Sequence, residues 1–209
     1  MLTVANLGCE RDERVLFERL SFTVTAGTLL QIQGANGSGK TTLLRILAGL
    51  NHDYTGELQW QGKPCRQVEF DYRQALFYLG HAPSVNRTLT PLQNLRWFCA
   101  LRGFADDAAI HYALNELGLR GYADIPCYQM SAGQQRRVSL ARLALTSAPL
   151  WIMDEPFTAL DRKGVAELEQ RIDRHVTGGG AVVLTTHHPL QSTLPLTVVN
   201  LDALREVAV

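Results

Sequence analysis

Leu29-Leu30-Gln31-Ile32-Gln33-Gly34-Ala35-Asn36-Gly37-Ser38-Gly39-Lys40-Thr41-Thr42-Leu43-Leu44-Arg45-Ile46-Leu47-Ala48 is the stretch that decides the fold. Its apolar opening reads as a short buried strand. Thr41 to Ala48 has helical character, and Gly49 ends it. Between them, Gly34 to Thr41 fits G-x-x-x-x-G-K-[ST] in full. Glycines let the backbone wrap a phosphate, and the loop N–H groups donate inward at a helix N-terminus. Lys40 is expected to reach the β- and γ-phosphates, and the Thr41 hydroxyl to ligate Mg²⁺. Gly34, Ala35, Asn36, Gly37, Ser38, Gly39 and Thr42 complete the expected nucleotide cradle. The plain alternative is a chance glycine-rich turn; the strand before it and the helix after it speak against that.

Three further stretches carry chemistry. Leu150-Trp151-Ile152-Met153-Asp154-Glu155 is an apolar strand ending in two carboxylates. A strand leaving a sheet beside the phosphate loop would let Asp154 orient Mg²⁺ and Glu155 polarise an attacking water as general base. Alone it would more often be an ordinary strand end. Thr185-Thr186-His187-His188 closes a second buried strand, where His187 is in register to sense or position a γ-phosphate. His188 reads as its neighbour, and His52, His111 and His175 read as surface residues. Met130-Ser131-Ala132-Gly133-Gln134 opens a helix. Ser131 fits a helix N-cap. The sharper reading is that its hydroxyl, the Gly133 N–H and the helix dipole, with Gln134, bind a γ-phosphate supplied across an interface.

Around these motifs the chain alternates strand and helix. Residues 2–33 alternate apolar and polar, as half-exposed strands do. Gly56–Trp60 and Ala75–Leu79 read as further strands. From Pro91 to about Leu145 apolar residues recur every three to four positions, and a helical arm spanning about 83–145 is expected. Buried strands return at 150–153 and 181–185, joined by a charged helix from Arg162 to His175. This pattern specifies a mostly parallel sheet covered on both faces, within one domain spanning 1–209.

The bulk numbers narrow the function. The 20 basic and 20 acidic residues balance, which excludes a dominant electrostatic attraction to nucleic acid or anionic lipid. No apolar run reaches the roughly 20 residues that span a bilayer, and the N-terminus lacks signal-peptide character. A soluble cytoplasmic chain is expected, unless a partner holds it at a membrane. Cys9, Cys65, Cys99 and Cys127 are scattered and read as reduced thiols; no C-x-x-C-H marks haem attachment.

Taken together, the phosphate loop, Met130–Gln134, Asp154-Glu155, Ala159-Leu160-Asp161 and His187 make the chain resemble the ATP-binding subunits of ABC transporters over essentially its whole length. The resemblance implies a P-loop NTPase of ABC type: a mostly parallel core sheet, an N-terminal antiparallel β subdomain and an inserted α-helical subdomain. It implies a homodimer that closes around two Mg-ATP, Ser131 capping the nucleotide of the second copy and Asp161 coupling the sites. Three departures narrow the branch. Ala132 replaces a signature glycine. His81 stands where a glutamine is usual, where an imidazole can meet the Mg²⁺ and its water. Arg11 aligns with the aromatic that stacks on adenine, and a guanidinium plane can also stack on a base.

With these variants the chain is similar to the ATPase subunit of bacterial cytochrome c maturation (haem exporter) complexes. That likeness implies CcmB- and CcmC-like integral membrane partners and a peripheral place on the cytoplasmic face of the inner membrane. It implies ATP use that releases a haem-loaded chaperone, with no direct haem binding and no nucleic acid. Other readings stay open: an ABC ATPase for another exported cargo, a soluble one acting on ribosomes or DNA, a small-molecule kinase, or a scaffold without turnover.

Overall fold

The computed structural model describes residues 1–103 and 106–203. They divide into two compact units. The first comprises Met1–Tyr78, Ala148–Pro156 and the chain from Glu169 onward. It opens with two long antiparallel strands, β1 (Leu2–Arg11) and β2 (Arg14–Val24). Asp12 and Glu13 join them, at φ 51° and 60°. Two left-handed residues make the turn whose twist matches that of the flanking strands. β4 (Thr55–Trp60) pairs with the other side of β1 and β5 (Lys63–Pro64) follows it, in the order β2-β1-β4-β5. β3 (Leu29–Gln33) lies between them in sequence and leads into the phosphate loop.

β3 belongs to a second sheet with β6 (Leu76–Leu79), β7 (Leu150–Asp154), β8 (Ala181–Thr185) and β9 (Leu196–Asn200), ordered β6-β7-β8-β3-β9. The β3–β8, β3–β9 and β7–β8 pairs are parallel. β7 and β8 are buried at every position. Strands covered on both faces are mostly apolar, which is why 150–153 and 181–184 read as continuous hydrophobic runs. Helix α1 (Lys40–Leu47) buries Leu43, Leu44, Ile46 and Leu47 in the core shared with Leu30, Ile32, Ile152 and Val183. The short helix α2 (Glu69–Gln74) buries Tyr72, whose ring lies 5.4 Å from that of Trp60.

One expectation is corrected in this unit. His175 is half-buried rather than fully at the surface. It lies on helix α6 (Arg162–Thr177), and its ring stacks on Trp151 with centroids 3.7 Å apart and planes 9° from parallel. Leu168, Ile172 and Val176 of α6 are buried. Helical spacing puts residue 175 on that same stripe, despite the charged composition of the helix. Burial depresses the His175 pKa from its ordinary value, against the opposing pull of hydrogen bonds to Pro149 and Ala181.

The second unit comprises Leu79–Ser147 and Phe157–Leu168. Helices α3 (Pro91–Leu101), α4 (Asp107–Glu116) and α5 (Ala132–Ala141) enclose Leu95, Cys99, Ile110, Ala113, Leu114 and Val138. Thr90 caps α3 in a reciprocal pair with Gln93, and Pro91 takes the first helical position, where its missing N–H costs nothing. The buried guanidinium of Arg136 donates to the carbonyls of Gly80 (2.9 Å) and His81 (3.3 Å), tying the stretch after β6 to α5. An open cavity of about 400 Å³ lies in this unit, edged by Pro83, Val85, Leu95, Trp97, Phe98 and Arg142. Trp97 is 67% exposed beside it. The four cysteines are free and buried. No helix of the described residues is long and apolar enough to cross a membrane.

Candidate active site

The phosphate loop leaves β3 and enters α1 through Gly39, at φ 104°. A Cβ at Gly39 would stand 3.1 Å from Leu16 Cβ and 3.2 Å from Phe17 Cδ1. Both the left-handed backbone and the close approach of β2 therefore demand glycine here. The Lys40 ammonium folds back onto its own loop, donating to the carbonyls of Gly34 (2.7 Å) and Ala35 (3.0 Å). These are contacts that a phosphate can replace.

Thr41 and Asp154 come together across 113 positions of sequence. The Thr41 hydroxyl donates to Asp154 Oδ2 at 2.8 Å, and the Thr185 hydroxyl donates to Asp154 Oδ1 at 2.7 Å. The register of β7 and β8 causes the second contact, because Asp154 is paired directly with Thr185. Thr185 is a site residue that the sequence reading left out. Its signal was a hydroxyl at the same strand end as the carboxylate. Asp154 is 2% exposed, so its bond to each hydroxyl is made away from bulk water.

Glu155 has left the strand and sits at φ 46°, uncommon for a residue with a side chain. Its N–H is held by the carbonyl (3.2 Å) and hydroxyl (3.1 Å) of Thr185. That turns its carboxylate towards His187, whose N–H donates to Glu155 Oε2 at 3.2 Å. The His187 imidazole Nε2 lies 3.5 Å from Glu155 Oε1. His188 points elsewhere, with Nε2 3.5 Å from Glu169 Oε1.

Two hard oxygen donors, Thr41 Oγ1 and Asp154 Oδ2, thus stand side by side where α1 begins. That set suits an ion that keeps most of its waters and binds through one or two protein oxygens plus substrate phosphates, as Mg²⁺ does. Among the described residues no cluster of three or more His, Cys, Asp and Glu forms a metal cage.

Arg11 ends β1 at the hairpin, exposed and 3.5 Å from the Asp12 carboxylate. The β2 residues beside Gly39 lie a few positions beyond this hairpin. His81 follows β6, exposed, and its carbonyl accepts from Arg136 at 3.3 Å.

In the helical unit, Ser131 is the N-cap of α5. Its hydroxyl accepts from the Gln134 N–H (3.2 Å), and Gln134 Oε1 accepts from the Ser131 N–H (2.9 Å). A Cβ at Gly133 would meet the Ala159 carbonyl at 2.9 Å, so that chain crossing requires the missing side chain. Ala159 itself is left-handed, at φ 64°. Asp161 Oδ1 accepts from the Gly164 N–H (2.9 Å) and from Arg137 (2.7 Å). These bonds hold its carboxyl below the ordinary range, the Gly164 bond contributing most.

Comparison with known proteins identifies the family. A family profile described as ABC transporter matches residues 17–158. The chain is 54% identical to the cytochrome c biogenesis ATP-binding export protein CcmA of Pseudomonas putida, over 91% of this chain and 90% of that one. It is 54% identical over the same shares to the protein of that name from Escherichia coli K12. Among solved structures, an ATP-binding subunit of an ABC transporter superposes with a TM-score of 0.80 at 25% identity, covering 90% of this chain and 79% of that one.

Proposed function

The chain belongs to the ABC transporter family, in the CcmA group of ATP-binding export proteins, and from that premise we propose that it is the ATP-hydrolysing subunit of a membrane complex for cytochrome c maturation. The observation that carries the catalytic part is the clasp of Glu155 by His187 at the end of the strand that also presents Asp154 to Thr41.

The chemistry follows from the residues. Loop N–H groups and the α1 N-terminus receive the β- and γ-phosphates. Lys40 exchanges the Gly34 and Ala35 carbonyls for phosphate oxygens. Thr41 and Asp154 would hold Mg²⁺, which when bound would supply charge neutralisation for the phosphates. Glu155 accepts a proton from the attacking water and His187 steadies the carboxylate and the γ-phosphate. Arg11 lies flat on adenine at the hairpin. Ser131, Gly133 and Gln134 serve the nucleotide of a second copy, so turnover takes place in a closed homodimer.

The membrane partners are CcmB- and CcmC-like integral proteins, which hold the chain at the cytoplasmic face of the inner membrane. The exposed Trp97 and the cavity beside Phe98 support a docking role for the helical unit. ATP use there releases a haem-loaded chaperone, without haem touching this chain. Purification of a tagged chain from detergent-solubilised membranes tests the assignment. CcmB- and CcmC-like proteins are expected to accompany it, and a different exporter in their place would overturn the cargo. ATPase activity of the purified complex tests the chemistry.

A further inference from the structure

The first peptide of the phosphate loop is bonded on both sides. Its carbonyl, from Gly34, accepts from Lys40 Nζ at 2.7 Å. Its N–H, from Ala35, donates to Asp202 Oδ2 at 2.7 Å. In a trans peptide these two groups point in opposite directions, so the carboxylate and the ammonium sit across the peptide from one another. A carboxylate on the N–H polarises the peptide and makes its carbonyl a better acceptor.

Asp202 is itself anchored. Leu201 N donates to Gln33 O at 3.0 Å, carrying the β3–β9 pairing to the edge of the loop. Leu201 is fully buried, and a Cβ at Gly34 would lie 3.4 Å from its Cβ. Asp202 N donates to Asn200 Oδ1 at 2.9 Å. The residues that fix Asp202 thus belong to the sheet and to the turn that leaves it.

We propose that Asp202 is a positioning residue for nucleotide binding: it holds the Gly34–Ala35 peptide in place when Lys40 leaves that peptide's carbonyl for phosphate. Lys40 is the one cation described on this carbonyl, and the exchange removes it. A loop free to follow Lys40 would lose the arrangement of N–H groups that the phosphates need. Asp202 prevents this from the side of the peptide opposite Lys40. Asp202 acts through the Ala35 N–H, across the peptide from Lys40, so its loss is expected to weaken ATP and ADP binding alike. Loss of Lys40 falls mainly on ATP.

The inference rests on reading Gly34 to Thr41 as the phosphate loop, and the test separates the two. Affinities for Mg-ATP and Mg-ADP are measured by calorimetry on the full chain, with amide exchange at Ala35 followed in the absence of nucleotide. Asp202→Ala is expected to lose about tenfold in affinity for both nucleotides and about tenfold in Ala35 protection, as for one hydrogen bond to a charged group. Asp202→Asn keeps an acceptor oxygen and is expected to restore both to within about threefold. Unchanged affinity and protection in Asp202→Ala would overturn the proposal, as would an Asp202→Asn variant as weak as the alanine. If Asp202→Ala does not fold, Asp202→Glu takes its place: its longer side chain misplaces the oxygen, and equal protection in the Glu and Asn variants counts against positioning. An unsubstituted chain that binds no nucleotide would instead remove the phosphate-loop reading itself.

Discussion

His187 holds Glu155 from two directions: its backbone N–H donates to one carboxylate oxygen at 3.2 Å, and its imidazole Nε2 lies 3.5 Å from the other. The carboxylate is 17% exposed and the imidazole 68% exposed, so the acid is sheltered while its partner faces solvent. On the proposed assignment of Glu155 as general base, this hold sets its carboxylate in one geometry before substrate arrives.

Glu155→Gln removes the proton acceptor and leaves the phosphate cradle untouched. Steady-state ATPase activity is expected to fall about 10²- to 10⁴-fold with ATP affinity retained. The same variant should accumulate a nucleotide-dependent dimer on sizing in ATP. Turnover at the parent rate would show that another group is the base.

Lys40→Ala deletes the ammonium that now rests on Gly34 and Ala35. Triphosphate binding should weaken more than diphosphate binding, since the role proposed for Lys40 is to reach the γ-phosphate. Equal losses in a titration with both nucleotides would contradict that placement.

Ser131→Arg is expected to leave each monomer able to bind ATP and to block closure. Mixed subunits test whether Ser131 acts across an interface. Pairing Ser131→Arg with Lys40→Ala leaves one site doubly damaged and one intact. Pairing unsubstituted subunits with the double variant damages each site once. Identical ATPase activity in the two mixtures would place Ser131 outside the partner's site.

His175 gives the fold a pH dependence of known sign. Its pKa is depressed in the folded state, burial being the largest cause. The folded state therefore prefers the neutral ring. That contribution is complete above the unfolded value of about 6.5, and is lost as pH falls through the folded value. His175→Phe keeps an aromatic ring against Trp151 and removes the titration. Its thermal midpoint should fall less than the parent's between pH 7.5 and 5.5. A parallel fall in both proteins would assign the acid sensitivity to other groups.

Most of the candidate site was legible because its residues are grouped locally in sequence. The phosphate loop needs glycines at fixed offsets, and a buried parallel strand needs an unbroken apolar run, so Gly34–Thr41 and Leu150–Glu155 announced themselves. The missing parts depend on pairing. β9 is exposed along most of its length and has a bonded neighbour on one side only, so its composition carries little period-two signal. α2 has six residues, too few for a helical stripe. Asp202 reaches Ala35 only because β9 lies beside β3, and nothing near residue 202 declares that neighbour. His175 was readable in principle, three residues after Ile172 on the buried stripe, but the charges around it pointed outward.

The position of β3 also has a consequence for synthesis on the ribosome. Its two neighbours, β8 and β9, are the last strands of the described chain to be translated. The phosphate loop is thus made early and fixed late: until residues beyond Ala181 emerge, neither side of β3 has its partner. Nascent chains stalled before Ala181 should be cut by protease near Gly37, and chains released after Asp202 should resist. The order of translation thus keeps the nucleotide cradle open until nearly all of the described chain is present to hold it.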